Sequence, residues 1–420
     1  MKAKILRADR EKGDITIPSS KSYAHRLLIA AALAKGASRI AKLNLNDDIL
    51  STMDCLRLLG AKIDLFNDEA VVFGMKDLNQ YQGELVDCRE SGSTLRFLLP
   101  LFVQGGKTAR FTGKGKLLQR PESVYEALYS HFEKKEDCIE VSGPLQPGHF
   151  KIAGNISSQF VTGLLYLLPL LDGDSTLEII PPVESKPYID MTLDVLSDSG
   201  IRFTREGFTI HVEGNQEYEP IDQNVIGDDS QAAFYVGESL LLQKEMDLHN
   251  VIHESLQGDH EIFDIARMFH ADVRTISDGY KIVPADKLQA RTIDIMDCPD
   301  LGPMIIALCT QAEGISQIIH AKRLRIKESD RIRSMEEELR KLGCVIFSDE
   351  NNVYVEGPVK IKGGVELSGH NDHRIIMSLA ILATIAEEPI VIDGAEAVSK
   401  SYPDFFEDLR STGVEVELYD

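Results

Sequence analysis

Six strongly apolar segments recur along the 420-residue chain, each opening on Ser or Asp and each patterned as a helix. They begin at Ser22, Ser93, Ser157, Asp229, Asp300 and Asp372, with start-to-start intervals of 71, 64, 72, 71 and 72 residues. A period of about 70 is too long for a solenoid, whose repeats run to roughly 20–50 residues. It suits a compact α/β unit with two helices and several strands. A second element supports that unit: an amphipathic helix ending at a small residue and running into an alternating strand. It appears from Ser51, Thr192, Ile262, Ser334 and Asp404, with a weaker copy from Val124. A Gly after a helical run fits a left-handed C′ position, and the alternation after it fits a half-buried strand.

Helices that are apolar nearly all round belong in the middle of a domain. Ser and Asp are preferred N-caps, and a helix N-terminus carries unpaired N–H groups that attract anions. The expected architecture is therefore an α/β protein of repeated units with buried helices, their polar starts available to anionic ligands.

Charge sharpens this reading. Acidic residues number 67 against 45 basic ones, a net charge of −22. That balance argues against a nucleic-acid or membrane-surface partner, which needs a basic face. Any anion must be drawn in by a local cationic cluster. The six cysteines include no CxxC pair and no His at ligand spacing, so neither a zinc site nor a disulfide framework is expected. The N-terminal stretch lacks an apolar signal core, and the greasiest segments are shorter than the ~20 residues a membrane span needs. A soluble, cytoplasmic protein is expected.

The basic and acid/base residues lie at or near the starts of the repeats. They fall in IPSSKSYAHR (Lys21, Ser22, Arg26), CRESGSTLR (Gly92), QRPE (Arg120), ISSQF (Ser157, Ser158, Gln159) and ESKPYID (Ser185, Tyr188). The second half supplies PDLGPM (Asp300), RLRIKESDR (Arg323, Lys327, Glu328, Arg331), NDHR (His373, Arg374) and SKSYPD (Lys400). If RLRIKESDR is helical, Lys327 and Arg331 share one face. Arg forks bind carboxylate and phosphate bidentately, and Lys acts as a point charge. No Walker A loop, dinucleotide fingerprint or GxSxG elbow is present. What remains suits a reaction between two small, multiply anionic substrates, with Asp300 and Glu328 as proton carriers.

These motifs, in this order from Ser20 to Phe406, resemble those of the 5-enolpyruvylshikimate-3-phosphate synthases, the enolpyruvyl transferases of the shikimate pathway. SKSYAHR, SSQF, SKPYID, KESDR, NDHR and KSYPDFF each resemble a family motif. The resemblance implies two similar domains of three βαβαββ units each, closing over the substrates as an inside-out α/β barrel pair. It places the boundaries at 21–226 for the first domain, and at 1–20 plus 227–420 for the discontinuous second. It implies transfer of the enolpyruvyl group of phosphoenolpyruvate to the 5-hydroxyl of shikimate 3-phosphate, on the route to chorismate and aromatic amino acids, with no cofactor and no metal. Shikimate 3-phosphate would be held by Lys21, Ser22, Arg26, Ser157, Ser158, Gln159, Ser185, Tyr188, Asp300 and Lys327. Arg323 stands where the family often has Asn near the phosphate. Phosphoenolpyruvate would be held by Lys21, Gly92, Arg120, Gln159, Arg331, Arg374 and Lys400. Asp300, Glu328, Lys21 and His373 are the implied catalytic residues. The partners are then two small molecules, and a monomer is expected.

Glu90 departs from the family's usual Asn and puts a negative charge beside an anion pocket unless Arg89, Arg96 or Arg120 pairs with it. Ser20 departs from a Gly, and Ser93-Thr94 from Thr-Ala. The related cell-wall enolpyruvyl transferase carries a reactive Cys on a first-domain loop. Here the corresponding loop from Lys114 to Gln119 has none, and Ser22 follows Lys21 where that family has Asn.

Overall fold

A computed structural model of the chain describes residues 1–9 and 11–420. It divides into two compact units, Met1–Pro18 with Ile226–Asp420, and Ser19–Val225. The Ser19–Val225 unit carries helices α1 (Lys21–Leu33), α2 (Asp47–Leu59), α3 (Gly92–Gln104), α4 (Ser123–Leu128), α5 (Ser158–Leu167) and α6 (Lys186–Asp198). The other carries α7 (Asp229–Leu242), α8 (Glu261–Met268), α9 (Gly302–Cys309), α10 (Arg331–Lys341), α11 (His373–Ala383) and α12 (Phe405–Ser411).

Each unit holds three four-stranded sheets, and all six sheets pair in one pattern: parallel, antiparallel, antiparallel. The sheet around α3 shows how this arises. Strand Leu85–Asp87 leads into α3, and Ala109–Thr112 returns parallel to it. Then α4 and the hairpin His131–Lys134/Ile139–Ser142 complete the sheet. This is the βαβαββ order, and a parallel pair requires a crossover of this kind. Three sheets take in a strand far away in sequence: Asp222–Asn224 joins Ala37–Ala41, Gly13–Thr16 joins Met246–His249, and Lys2–Ala8 lies between Ile390–Asp393 and Val414–Tyr419.

The odd-numbered helices are the apolar ones. Every residue of α7, α9 and α11 is buried, as are eleven of the thirteen in α1. Within its unit α11 packs on both α7 and α9, and α3 packs on α5. The even-numbered helices are amphipathic and lie outside them. Four end at Gly60, Gly200, Gly343 and Gly413 with φ of 118°, 76°, 83° and 92°, where a side chain would be strained. His270 takes that place after α8 at φ 67°. The weak copy at Val124 differs: α4 is six residues long and leaves through Tyr129 in an extended conformation, since no Gly is present to turn it. All six cysteines are buried and unpaired. Among the described residues no helix is long and apolar enough to cross a membrane.

Candidate active site

The N-caps put polar groups at the ends of the buried helices, but one or two residues earlier than the apolar pattern indicates in three cases. Ser20, Ser91 and Asp228 cap α1, α3 and α7 in place of Ser22, Ser93 and Asp229. Ser157 and Asp372 cap α5 and α11, their side chains accepting from Gln159 N and Arg374 N. Asp300 is not a cap at all. It sits in the short 3₁₀ turn Pro299–Leu301 that leads into α9, so its carboxylate is released from the helix for other partners.

Those partners are cations. Asp300 Oδ1 accepts from Lys327 Nζ at 2.9 Å and from Arg331 NH1 at 2.8 Å. Lys327 is extended rather than helical, because Asp330 caps α10 and the helix starts only at Arg331. The two cations therefore do not share a helical face, yet both reach the same oxygen. Arg331, 1% exposed, also donates through NH2 to Glu328 at 2.9 Å and through Nε to Asp372 at 2.9 Å. Burial alone would raise the Asp300 pKa, but Lys327, Arg331 and Arg374 overcome it and hold the carboxyl well below its usual range. Burial lowers the Lys327 pKa despite Asp300, and Arg323 adds to that depression from nearby. His373 is buried at the first position of α11 beside Asp372. Arg374 donates to Ser230 O at 2.8 Å and Ser230 Oγ at 2.6 Å, and Lys400 donates to Asn371 O at 2.7 Å.

The Ser19–Val225 unit gathers a second set. Arg26, 2% exposed, donates to Ser22 O, Tyr188 O and Thr192 Oγ1 at 2.9, 2.8 and 3.0 Å, binding α1 to α6. Ser185 is buried just before α6 at φ 56°, and Ser158 is buried at the start of α5. Lys21 pairs with Asp48 on α2 at 2.8 Å. Gln159 Oε1 accepts from Arg96 NH1 at 2.8 Å while its Nε2 donates to Ser93 Oγ at 3.0 Å. A Cβ on Gly92 would stand 2.7 Å from Arg120 NH1 and 3.6 Å from Gln159 Oε1, so Gly92, Arg120 and Gln159 adjoin. Of the cations near Glu90, Arg89 is held by Asp54 and Arg96 by Glu122. The Glu90 carboxylate lies against Gly115. His25 forms a buried bond with Thr52 Oγ1 at 2.8 Å.

The two sets belong to different units: Asp300, Arg323, Lys327, Glu328, Arg331, His373, Arg374 and Lys400 in one, and the other ten residues in the other. Four further residues position them: Asp48, outside every motif of the sequence reading, and Arg96, Glu122 and Asp372, which lie inside CRESGSTLR, QRPE and NDHR but are not among the predicted site residues. Only a buried acid in a helix's first turn marks Asp48. Among the described residues two groups bring three potential metal-ligand atoms within 4.8 Å, His131/Glu133/Glu140 and Glu337/Glu338/His370, and neither contains a predicted site residue. In each the His pairs with a Glu, and Lys135 or Lys341 also pairs with that Glu.

Solved structures share the architecture. The chain matches EPSP synthase from Acinetobacter baumannii with TM-score 0.79 over 100% of both chains at 23% identity. It matches the enolpyruvyl transferase NikO from Streptomyces tendae with TM-score 0.79 at 18% identity, over 99% of this chain and 98% of that one. The fold is that of the enolpyruvyl transferases. Sequence narrows the class. The 3-phosphoshikimate 1-carboxyvinyltransferase of Clostridium botulinum (strain Alaska E43 / Type E3) is 40% identical over 413 residues, covering 96% of this chain and 95% of that protein. The enzyme of the same name from Clostridium kluyveri is 38% identical, covering 99% of each. The family model for EPSP synthase (3-phosphoshikimate 1-carboxyvinyltransferase) matches residues 7–409, and the chain belongs to that family.

Proposed function

We propose that this chain transfers the enolpyruvyl group of phosphoenolpyruvate to the 5-hydroxyl of shikimate 3-phosphate, releasing phosphate. The observation that carries the reading is the Asp300 carboxylate gripped by Lys327 and Arg331, within a full-length match to the family. The hydroxyl oxygen adds to C2 of phosphoenolpyruvate as C3 gains a proton. C3 then loses a proton as the C2–O bond to phosphate breaks. A base must take the hydroxyl proton, and an acid/base must serve C3.

Asp300 is ionised and so able to accept a proton, but beside two cations it is a weak base. Once Lys327 and Arg374 turn to substrate anions, the carboxylate loses that stabilisation and its basicity rises. Glu328 and Lys21 serve C3, and His373 is the fourth catalytic residue. The cations hold two anions that repel each other, supplying proximity and offsetting the charge that develops. Arg26, Ser22, Ser157, Ser158, Ser185, Tyr188, Lys327 and Arg323 serve shikimate 3-phosphate. Gly92, Arg120, Arg331, Arg374 and Lys400 serve phosphoenolpyruvate, and Gln159 and Lys21 serve both. The enzyme acts as a cytoplasmic monomer.

Phosphate release should require both substrates. Release with UDP-N-acetylglucosamine in place of shikimate 3-phosphate, or none with the proper pair, would overturn the reading. Asp300→Asn should lower kcat by about 10²–10⁴ while shikimate 3-phosphate still binds. Turnover within a few-fold of the parent would remove Asp300 from its role.

A further inference from the structure

Ser-Gln opens two of the buried helices: Ser158-Gln159 in α5 and Ser230-Gln231 in α7. The two glutamines are treated differently. Gln159 uses both ends of its amide, its oxygen on Arg96 and its nitrogen on Ser93. Gln231 is 1% exposed, and neither its Nε2 nor its Oε1 has a hydrogen-bond partner among the described residues. A buried amide with no partner is costly, and such groups in a native protein call for a reason.

The surroundings point to Arg374. Gln231 is three and four residues before Phe234 and Tyr235, so these share a face of α7. The Arg374 guanidinium stands 5.8 Å from the centre of the Phe234 ring, and α11 packs on α7. Arg374 rests with NH1 and NH2 on Ser230, the residue before Gln231, while its buried Nε also has no partner among the described residues. A donor and an acceptor are thus both unmet on adjoining helix starts, with the cation parked one residue away.

We propose that Gln231 is a positioning residue for Arg374. When Arg374 leaves Ser230 for the carboxylate or phosphate of phosphoenolpyruvate, the Gln231 amide oxygen takes up its guanidinium, as Gln159 holds Arg96. The ligand-bound cation is then fixed in direction, and the Gln231 oxygen gains its partner only in that state. This rests on the assignment of Arg374 to phosphoenolpyruvate.

Gln231→Leu tests it in the full-length enzyme. The variant deletes no hydrogen bond of the resting protein, so its melting temperature should match or exceed the parent's. KM for phosphoenolpyruvate should rise about ten-fold, with KM for shikimate 3-phosphate within two-fold. Combined with Arg374→Ala, it should add nothing further, because Gln231 acts through that arginine. An unchanged KM for phosphoenolpyruvate in Gln231→Leu, with Arg374→Ala strongly impaired, overturns the role of Gln231 alone. If Arg374→Ala itself leaves that KM unchanged, the underlying assignment of Arg374 fails instead. A lowered melting temperature with both KM values shifted equally would make the amide a structural one and also overturn the proposal.

Discussion

Removing the charge of Asp372 while keeping its shape isolates what orients Arg331. The carboxylate is fully buried and takes four bonds: Arg331 Nε at 2.9 Å, Arg331 NH2 at 3.3 Å, Ser329 Oγ at 2.9 Å and Arg374 N at 3.0 Å. It is at once the cap of α11 and the counter-ion of a buried guanidinium. Breaking a buried pair by deleting one partner costs about 3–5 kcal/mol, and losing an N-cap about 1 kcal/mol. Asp372→Ala loses both, roughly 4–6 kcal/mol together. Asp372→Asn keeps Oδ1 for the cap and for Arg331 NH2 but turns an amide N–H toward Nε in place of Oδ2; Asp300 and Glu328 still face Arg331, so about 2–3 kcal/mol is expected. For a unit of this size that is a fall of about 4–12 °C in melting temperature. Thermal unfolding by circular dichroism, beside steady-state kinetics with phosphoenolpyruvate varied, reads both effects. The loss should persist in ~0.5 M salt, because a buried pair is screened far less than a surface one. An Asn variant melting within about 1 °C of the parent with an unchanged KM would show that Arg331 does not depend on Asp372.

Gly92→Ala places a methyl 2.7 Å from Arg120 NH1. KM for phosphoenolpyruvate should rise about ten-fold with little change in stability, since Ala favours the helix by about 1 kcal/mol; an unaltered KM would dissociate Arg120 from that substrate. Arg26→Lys leaves several of the Ser22, Tyr188 and Thr192 acceptors unmet. It should cost about 1–3 kcal/mol in urea unfolding and weaken shikimate 3-phosphate more than phosphoenolpyruvate, a preference calorimetric binding would reveal or deny. Burial, then Lys21 and Arg26, holds the His25 pKa well below the usual 6.5. The unfolded chain therefore binds the extra proton below pH ~6.5, and His25 should cost about 1.4 kcal/mol of stability per pH unit as the solution acidifies toward its folded pKa. His25→Gln should flatten that part of the slope in urea titrations at pH 7, 6 and 5, and an unchanged slope would mean that His25 charges in the folded state.

The six apolar helices were legible because burial on all sides leaves a continuous apolar run, which needs no knowledge of neighbours. Their caps were less so: three of the predicted starts fall one or two residues inside the helix, since several Ser and Asp compete at each junction. Asp300 shows the limit of that reasoning. Its sequence context is that of a cap like the other five, but Pro299 and Gly302 build a tighter turn and leave the carboxylate to Lys327 and Arg331. Lys327 and Arg331 likewise look like one helical face until Asp330 caps the helix between them.

Local pattern alone determined the repeat, its buried helices and the kinds of side chain at their starts, because periodicity and capping act over a few residues. Which acid meets which cation was decided by tertiary structure. Lys327 meets Asp300 across 27 residues, Arg331 meets Asp372 across 41, and Arg374 meets Ser230 across 144. Such contacts depend on distance in space, and only the packing together of elements far apart in sequence brings these residues within 3 Å. The same packing separates Gln159, whose amide is bonded at both ends, from Gln231, whose amide has no partner among the described residues, although both follow a serine at a helix start.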